Sequence, residues 1–371
     1  MFNSLNINPT AFGLDVSNSS IKIIQLKKSG KLFKLVSWGE TQIEPGVIEN
    51  GEIKNEDKFL GLLKQAIRNV KGKKIKTKNA VVSLLEKKTF LGIIQLPMMT
   101  KEELRSAITF QAENYIPLPI NEVYFDFQVI PLDSKIKDRC DVLLIAFPKK
   151  IIDQYLTIFK KAGILPIALE TESQAITRVL SKNNAEGSSF FVINFGKSNT
   201  IFAAFSDHSL HFSSSIPISS QDLTKAISQS LKVKLEEAEK LKLKYGLRAS
   251  QGSKKEGEEV SKAIEPIFND LCKQVKKYIS YYRTYGYPEY SNADENNTKS
   301  KKIEKIILCG EGANLRGLHD FFSSRLEIPI KLANPWLNIF KKESVSLPLK
   351  EPLGYVVALG LALRITEKNY D

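Results

Sequence analysis

The sequence predicts a two-lobed α/β protein built around a duplicated unit, and three observations carry that prediction. An apolar run, a short polar loop and a second apolar run occur at 12–24 and again at 191–202. A third segment, 306–318, runs an apolar strand into Gly310 and Gly312 and then into a stretch with helical periodicity through Leu318, Phe321 and Phe322. Each of the first two segments places Asp15 or Asn194 two residues before a small residue, followed by hydroxyl and amide side chains. A hairpin tip of this composition exposes backbone N–H groups and short polar side chains where an anion can sit. One such loop is equally an ordinary turn. Two of them facing each other form a phosphate clamp between related half-molecules.

In the third segment, glycine lets the chain turn sharply and lets backbone approach a flat ligand. The order of hairpin, hairpin and glycine turn resembles the actin-like ATPase superfamily, in which two hairpins hold the phosphates and the glycine turn holds the adenosine.

The remaining elements follow from periodicity. After the first hairpin come a strand at 32–38, a turn-rich connection at 45–51, and a helix at 57–70 with Phe59, Leu62, Leu63, Ala66 and Ile67 on one face. A buried strand spans 80–85. From Lys87 the order becomes β-α-β-β-α-β, a split-βαβ subdomain inserted into the first lobe, with Thr100 and Glu103 as a capping box. The second lobe opens at Ser189. Its helices start near Ser219 or Ser220, stop at Gly246, and include a long stretch at 258–282 that Pro266 is expected to kink. The polar stretches 249–259 and 291–300 read as mobile loops. The expected division is 11–86 with 165–188 and 337–371 as the first lobe core, and 87–164 as the insertion. The second lobe core is then 189–219 with 303–336, and 220–302 is a helical subdomain.

The chain has 371 residues, 42 % hydrophobic and 26 % charged, with a net charge of +13. It holds no apolar run long enough to span a bilayer and no signal peptide, so a cytoplasmic protein is expected. Cys140, Cys272 and Cys309 are too scattered for a disulfide framework or a zinc site. His208 and His211 fall on opposite faces of a strand and make no metal pair. Lysine runs such as 71–78 and 299–305 suit solvated loops, with a salt-sensitive attraction to anionic lipid as the sharper reading. No aromatic-interleaved signature or zinc finger points to specific nucleic-acid binding.

Several segments are more specific. They are Ile94-Gln95-Leu96-Pro97, Gln111-Ala112-Glu113-Asn114-Tyr115-Ile116-Pro117-Leu118-Pro119, Ala333-Asn334-Pro335 and Val357-Ala358-Leu359-Gly360-Leu361-Ala362-Leu363-Arg364. With Pro45-Gly46-Val47-Ile48 they give a pattern that resembles the PilM family of type IV pilus assembly, from about Phe12 to Arg364. The resemblance implies an actin-like fold of the FtsA type with the extra subdomain, ATP or ADP with Mg²⁺ as ligands, and other pilus components as neighbours. It also implies a grip on the N-terminal peptide of a PilN-like bitopic membrane protein, which places the chain at the cytoplasmic face of the inner membrane. Self-association as a homo-oligomer stays open.

Carried over by position, the first phosphate loop is Asp15, Ser17, Asn18, Ser19, Ser20 and Lys22, with Asp15 holding Mg²⁺ indirectly. The second is Asn194, Gly196, Lys197, Ser198 and Thr200, and the adenosine turn is Gly310, Gly312 and Ala313. Glu239 and Lys242 match a Glu-x-x-Lys pair that reaches ribose and base in relatives, and Glu172 aligns with their catalytic acid. The peptide is expected where the insertion meets the first lobe, with Ile93, Leu96 and Leu104 as receiving surface.

Two departures bear on chemistry. Ser17 replaces a glycine of the family pattern, and Asn194 replaces an aspartate that would help hold Mg²⁺. Binding without efficient hydrolysis is therefore expected, at most a slow ATPase. The other readings are an FtsA-like filament or division protein, a type II secretion scaffold, and a phosphotransferase of the same fold. The last needs a catalytic base on the transferred phosphoryl, and an FtsA-like protein would add a tail with an amphipathic helix.

Overall fold

The computed structural model describes residues 10–130, 139–181, 188–206, 209–248, 255–285, 302–337, 339–340 and 352–365. His208, the stretch 291–300 and most of 249–259 lie outside them.

Strand β1 (Phe12–Val16) is buried throughout, and β2 (Ser20–Ser29) and β3 (Leu32–Gln42) follow it as an antiparallel meander. A small ribbon, β4 (Ile48–Glu49) and β5 (Glu52–Ile53), leads to α1 (Glu56–Arg68). The Asn55 side chain caps that helix by accepting the Lys58 N–H at 3.0 Å. Next come β6 (Lys71–Gly72) and β7 (Asn79–Leu84). The insertion supplies β8 (Phe90–Pro97), α2 (Lys101–Tyr115), β9 (Val123–Ile130), β10 (Arg139–Pro148) and α3 (Lys149–Ala162). The Thr100–Glu103 capping box is formed in both directions. The chain returns through β11 (Leu165–Thr171) and α4 (Glu172–Ser181).

The second lobe contains β12 (Phe190–Phe195), β13 (Thr200–Ser206), β14 (Ser209–Ile216), α5 (Ser220–Leu231), α6 (Leu235–Tyr245) and α7 (Lys255–Tyr285). It continues with β15 (Lys305–Cys309), α8 (Leu318–Arg325) and β16 (Ile330–Leu332). Helix α9 (Val356–Arg364) closes the described chain. Pro266 lies inside α7, whose 31 residues form one helix across the position where a kink was expected.

The duplication is visible in strand order. One sheet runs β11-β7-β1-β2-β3-β6 and the other β14-β13-β12-β15-β16. In each, a meander of three antiparallel strands begins at the strand that pairs parallel with a later one, β1 with β7 and β12 with β15. A further parallel strand follows, β11 or β16. Helix α9 is apolar on all sides and buried with α4 in the core that also holds β12, β13 and β15, as an all-apolar helix must be.

The insertion differs from a self-contained split-βαβ unit. Its own sheet has three strands, β8-β10-β9, covered by α2 through Leu104, Ile108 and Ala112. Helix α3 instead buries Ile152, Tyr155, Ile158 and Phe159 with Phe59 and Leu63 of α1 in the first-lobe core. Strand β11 joins the first-lobe sheet beside β7. The last helix and strand of the β-α-β-β-α-β order thus pack on the first lobe.

Candidate functional site: an interlobe cleft and a subdomain junction

The two hairpin tips and the glycine turn converge on one cleft of about 430 Å³. Its walls are Asp15, Ser17, Ser19 and Lys22 from the first lobe, Asn194, Gly196, Lys197, Ser198 and Asn199 from the second, Gly310 and Glu311 of the glycine turn, and Glu172.

In the first loop, the Ser17 hydroxyl turns inward. Its Oγ accepts the N–H groups of Ser20 at 3.0 Å and Ser19 at 3.3 Å. Those are the amides that a glycine at this position would leave for an anion. Asp15 is buried and accepts from the Ser83 hydroxyl at 2.8 Å. Burial pushes its carboxyl up, against the pull of Lys22 and Ser83. Lys22 donates to Ser20 Oγ at 3.0 Å and forms an ion pair with Glu311 of the opposite lobe. Burial works against its ammonium, yet Glu311, Asp15 and Glu40 hold it above the usual lysine range.

In the second loop, Asn194 Oδ1 faces the Cys309 thiol at 3.7 Å, and Lys197 donates to Gln42 across the cleft. The glycine turn is spent on packing against β12. At Gly310, where φ is +90°, a Cβ would lie 2.5 Å from the Phe195 carbonyl oxygen, and at Gly312 one would lie 2.4 Å from the Phe195 ring. A side chain at either position would push the turn off the strand.

Other expected site residues sit outside the cleft walls. Asn18 Oδ1 accepts the Gly51 N–H at 3.2 Å, away from the phosphate positions. Ser20 backs Lys22, and the buried Thr200 hydroxyl donates to the Ile218 carbonyl at 2.6 Å. Ala313 is buried beneath the turn. Glu239 and Lys242 do pair, at 2.8 Å, as the i, i+3 spacing requires. Lys242 Nζ also donates to Ser220 Oγ at 2.8 Å and Thr224 Oγ1 at 2.9 Å, so its donors are taken by α5.

Glu172 lines the cleft but is buried, and its carboxylate accepts the Glu86 N–H at 3.2 Å. Glu86 in turn accepts hydrogen bonds from the Ser173 hydroxyl at 2.6 Å and from the Ser213 hydroxyl of β14. Burial, then the charges of Asp15 and Glu86, drive the Glu172 carboxyl well above the usual carboxylate range. Among the described residues no group of His, Cys, Asp and Glu is arranged to hold a metal ion. Sequence reasoning missed Glu86 and Glu311. The signal for Glu311 was present, as a charge between the two glycines of the turn.

The residues expected to receive a partner peptide need correcting. Leu96 and Leu104 are buried in the insertion's own core between β8 and α2, because alternation on β8 turns Ile94 and Leu96 toward the helix. Ile93, on the other sheet face, is partly buried against the large core shared with the second lobe. The exposed apolar residues of this region are Met98, Phe110 and Tyr115. A different hollow, open to solvent, lies where the insertion meets the first lobe. Gly51, Leu84, Leu85 and Lys88 line one side, and Phe147, Pro148, Ile151, Ile152 and Tyr155 the other. Tyr155 is 3 % exposed and packs edge-on to Phe59, and its hydroxyl has no hydrogen-bond partner among the described residues. That burial pushes its phenol up.

Comparison with known proteins matches this geometry. The chain is 24 % identical over 352 residues to the cell division protein FtsA of Enterococcus hirae, spanning 87 % of this chain and 78 % of that one. It superposes on the structure of a PilM-PilN type IV pilus biogenesis complex with a TM-score of 0.79 and 23 % identity, over 97 % of this chain and 99 % of that one. An ADP-bound MreB of Spiroplasma citri matches at TM-score 0.56 and 13 % identity, over 96 % of each chain. These likenesses establish the actin-like fold. The model of the type IV pilus assembly protein PilM matches residues 13–366, and the chain belongs to that family.

Proposed function

We propose that this protein is a nucleotide-responsive scaffold of the type IV pilus inner-membrane assembly complex. In this reading it docks the N-terminal cytoplasmic peptide of a PilN-like bitopic protein in the junction hollow. The observation that carries the reading is the Tyr155 hydroxyl, a buried donor without an acceptor among the described residues, in a hollow lined mainly by apolar side chains. Leaving such a group unpaired costs about 1–3 kcal/mol, which a ligand carbonyl would return. An extended peptide supplies both carbonyls and alternating apolar side chains. In the described residues no helix is long and apolar enough to cross a membrane, so in this reading attachment comes through the partner.

Nucleotide binding in the cleft is the second part of the reading. Lys22 and Lys197 are the cations for the phosphates, and Asp15 is the residue placed to hold waters of a Mg²⁺ ion. The fit is conditional, because Glu311 holds Lys22 and Ser17 holds two loop amides. The Mg²⁺ would neutralise phosphate charge. Asn194 adds no carboxylate for it, and Glu172 is buried with its carboxylate already accepting the Glu86 N–H. Turnover is therefore slow, and occupancy carries the signal. Asn194→Asp should raise Mg²⁺-dependent phosphate release several-fold over a slow wild type. Robust release by the wild type would overturn this view. The phosphotransferase reading lacks a ready base, and the filament reading has no observation of its own here.

A further inference from the structure

The net charge of the protein is confined to one region. The stretches 20–39 and 58–85 contain thirteen Lys and Arg residues and no Asp or Glu, a number equal to the formal net charge of +13 for all 371 residues. The rest of the chain is therefore neutral. These two stretches are neighbours in space, since β3 pairs with β6 through Ser37–Gly72 and Trp38–Lys71. Lys73 N–H also donates to the Val36 carbonyl at 2.9 Å.

Around that sheet edge Lys27, Lys28, Lys31 and Lys34 of the β2–β3 hairpin are exposed beside Lys71, Lys73, Lys74 and Lys76. No ion pair among the described residues involves any of these eight, whereas elsewhere exposed lysines such as Lys54, Lys225 and Lys240 have carboxylate partners. Lys27 and Lys34 stand directly opposite each other across the ladder, an arrangement that costs stability.

We infer that the β2–β3–β6 edge is a docking face for an anionic bilayer surface. A flat field of lysine point charges suits diffuse attraction to lipid headgroups. It is poorly suited to base recognition, which uses Arg forks and stacking aromatics. The nearby Trp38 is partly buried against the core. The inference rests on the scaffold reading for its setting, while its test is independent of the peptide.

The experiment is co-sedimentation of the full chain with vesicles of phosphatidylglycerol and phosphatidylcholine, and with phosphatidylcholine alone, at low and high salt. The variant K27Q/K28Q/K31Q/K34Q is compared with K255Q/K262Q/K273Q/K277Q on α7, which removes equal charge elsewhere. Circular dichroism checks folding, and calorimetry in lipid-free solution tests the peptide separately. The expected result is salt-sensitive binding to the anionic vesicles only, reduced at least about tenfold in the hairpin variant and little changed in the α7 variant. Equal loss in both variants, binding indifferent to anionic lipid, or displacement from vesicles by duplex DNA would overturn it.

Discussion

In the cleft between the lobes the polar groups bind one another, whereas at the junction of the insertion and the first lobe one polar group binds nothing. Lys22 is held by Glu311 and the Ser19 and Ser20 amides by Ser17, and outside the cleft walls Lys242 is held by Ser220, Thr224 and Glu239. A nucleotide arriving there must displace existing partners and gains only the difference. Tyr155 has no partner to lose. The comparison teaches that a fold-level site can persist in outline while its donors are satisfied internally, and that the ligand-ready group then lies elsewhere.

Removing the internal competitor should have the largest effect. In Glu311→Gln the charged acceptor of Lys22 is gone, and adenine nucleotide affinity by calorimetry should rise about thirtyfold, the equivalent of the roughly 2 kcal/mol of a charge-assisted hydrogen bond. Unfolding of the ligand-free variant should become easier, since buried Lys22 keeps only the Ser20 hydroxyl and the more distant carboxylate of Glu40 at 4.0 Å. Unchanged affinity would erase the distinction drawn between the two sites.

Tyr155→Phe should act in opposite directions on two readouts. Peptide affinity falls about fivefold with the loss of one neutral hydrogen bond, while stability without peptide rises by about 1 kcal/mol because a buried unsatisfied hydroxyl is removed. A loss of both would make Tyr155 a purely structural residue.

Ser17→Gly should free the Ser19 and Ser20 amides and strengthen nucleotide binding about threefold, one neutral contact partly offset by glycine's added freedom. Combined with Glu311→Gln, the gains should add if the two act on separate phosphate contacts.

The smallest effect is in pH. Burial raises the Glu172 carboxyl well above the 4.5 of an ordinary glutamate, so the folded protein holds a proton that the unfolded chain releases first. Its contribution to stability is complete below about pH 4.5 and is lost as pH rises through the folded value. Asp15 and Glu86 are raised as well and have the same sign. Glu170, lowered by Arg178 and Arg364 against its burial, acts oppositely but only below 4.5. Glu172→Gln should therefore make the fall in melting temperature shallower as pH rises above about 4.5. A slope identical to wild type would place the titration on other groups.

Much of the fold was legible because local chemistry and tertiary structure agree. The small polar residues between apolar runs marked two hairpin turns, with Asp15 and Asn194 near the ends of the strands that enter them, and the capping box at Thr100 and Glu103 marked a helix start that the structure contains. The cleft walls followed from those tips. What was not legible depends on partners far apart in the chain. Lys22 and Glu311 are separated by 289 residues, so nothing near either one announces the ion pair. Leu96 and Leu104 were expected as receiving surface because their apolar character is the same whether they meet a partner or, as they do, the insertion's own β8–α2 core. Pro266 lies within α7, which continues on both sides of it.

The central claim is that the junction hollow receives the partner, and hydrogen exchange on the full chain with and without the N-terminal cytoplasmic peptide of the bitopic protein tests it most directly. The account predicts saturable one-to-one binding, with protection confined to the segments around Leu84 to Lys88 and Phe147 to Tyr155 and weakened in Tyr155→Phe. Binding that protects other surfaces and leaves these segments unchanged, or no binding of any such peptide, would contradict it.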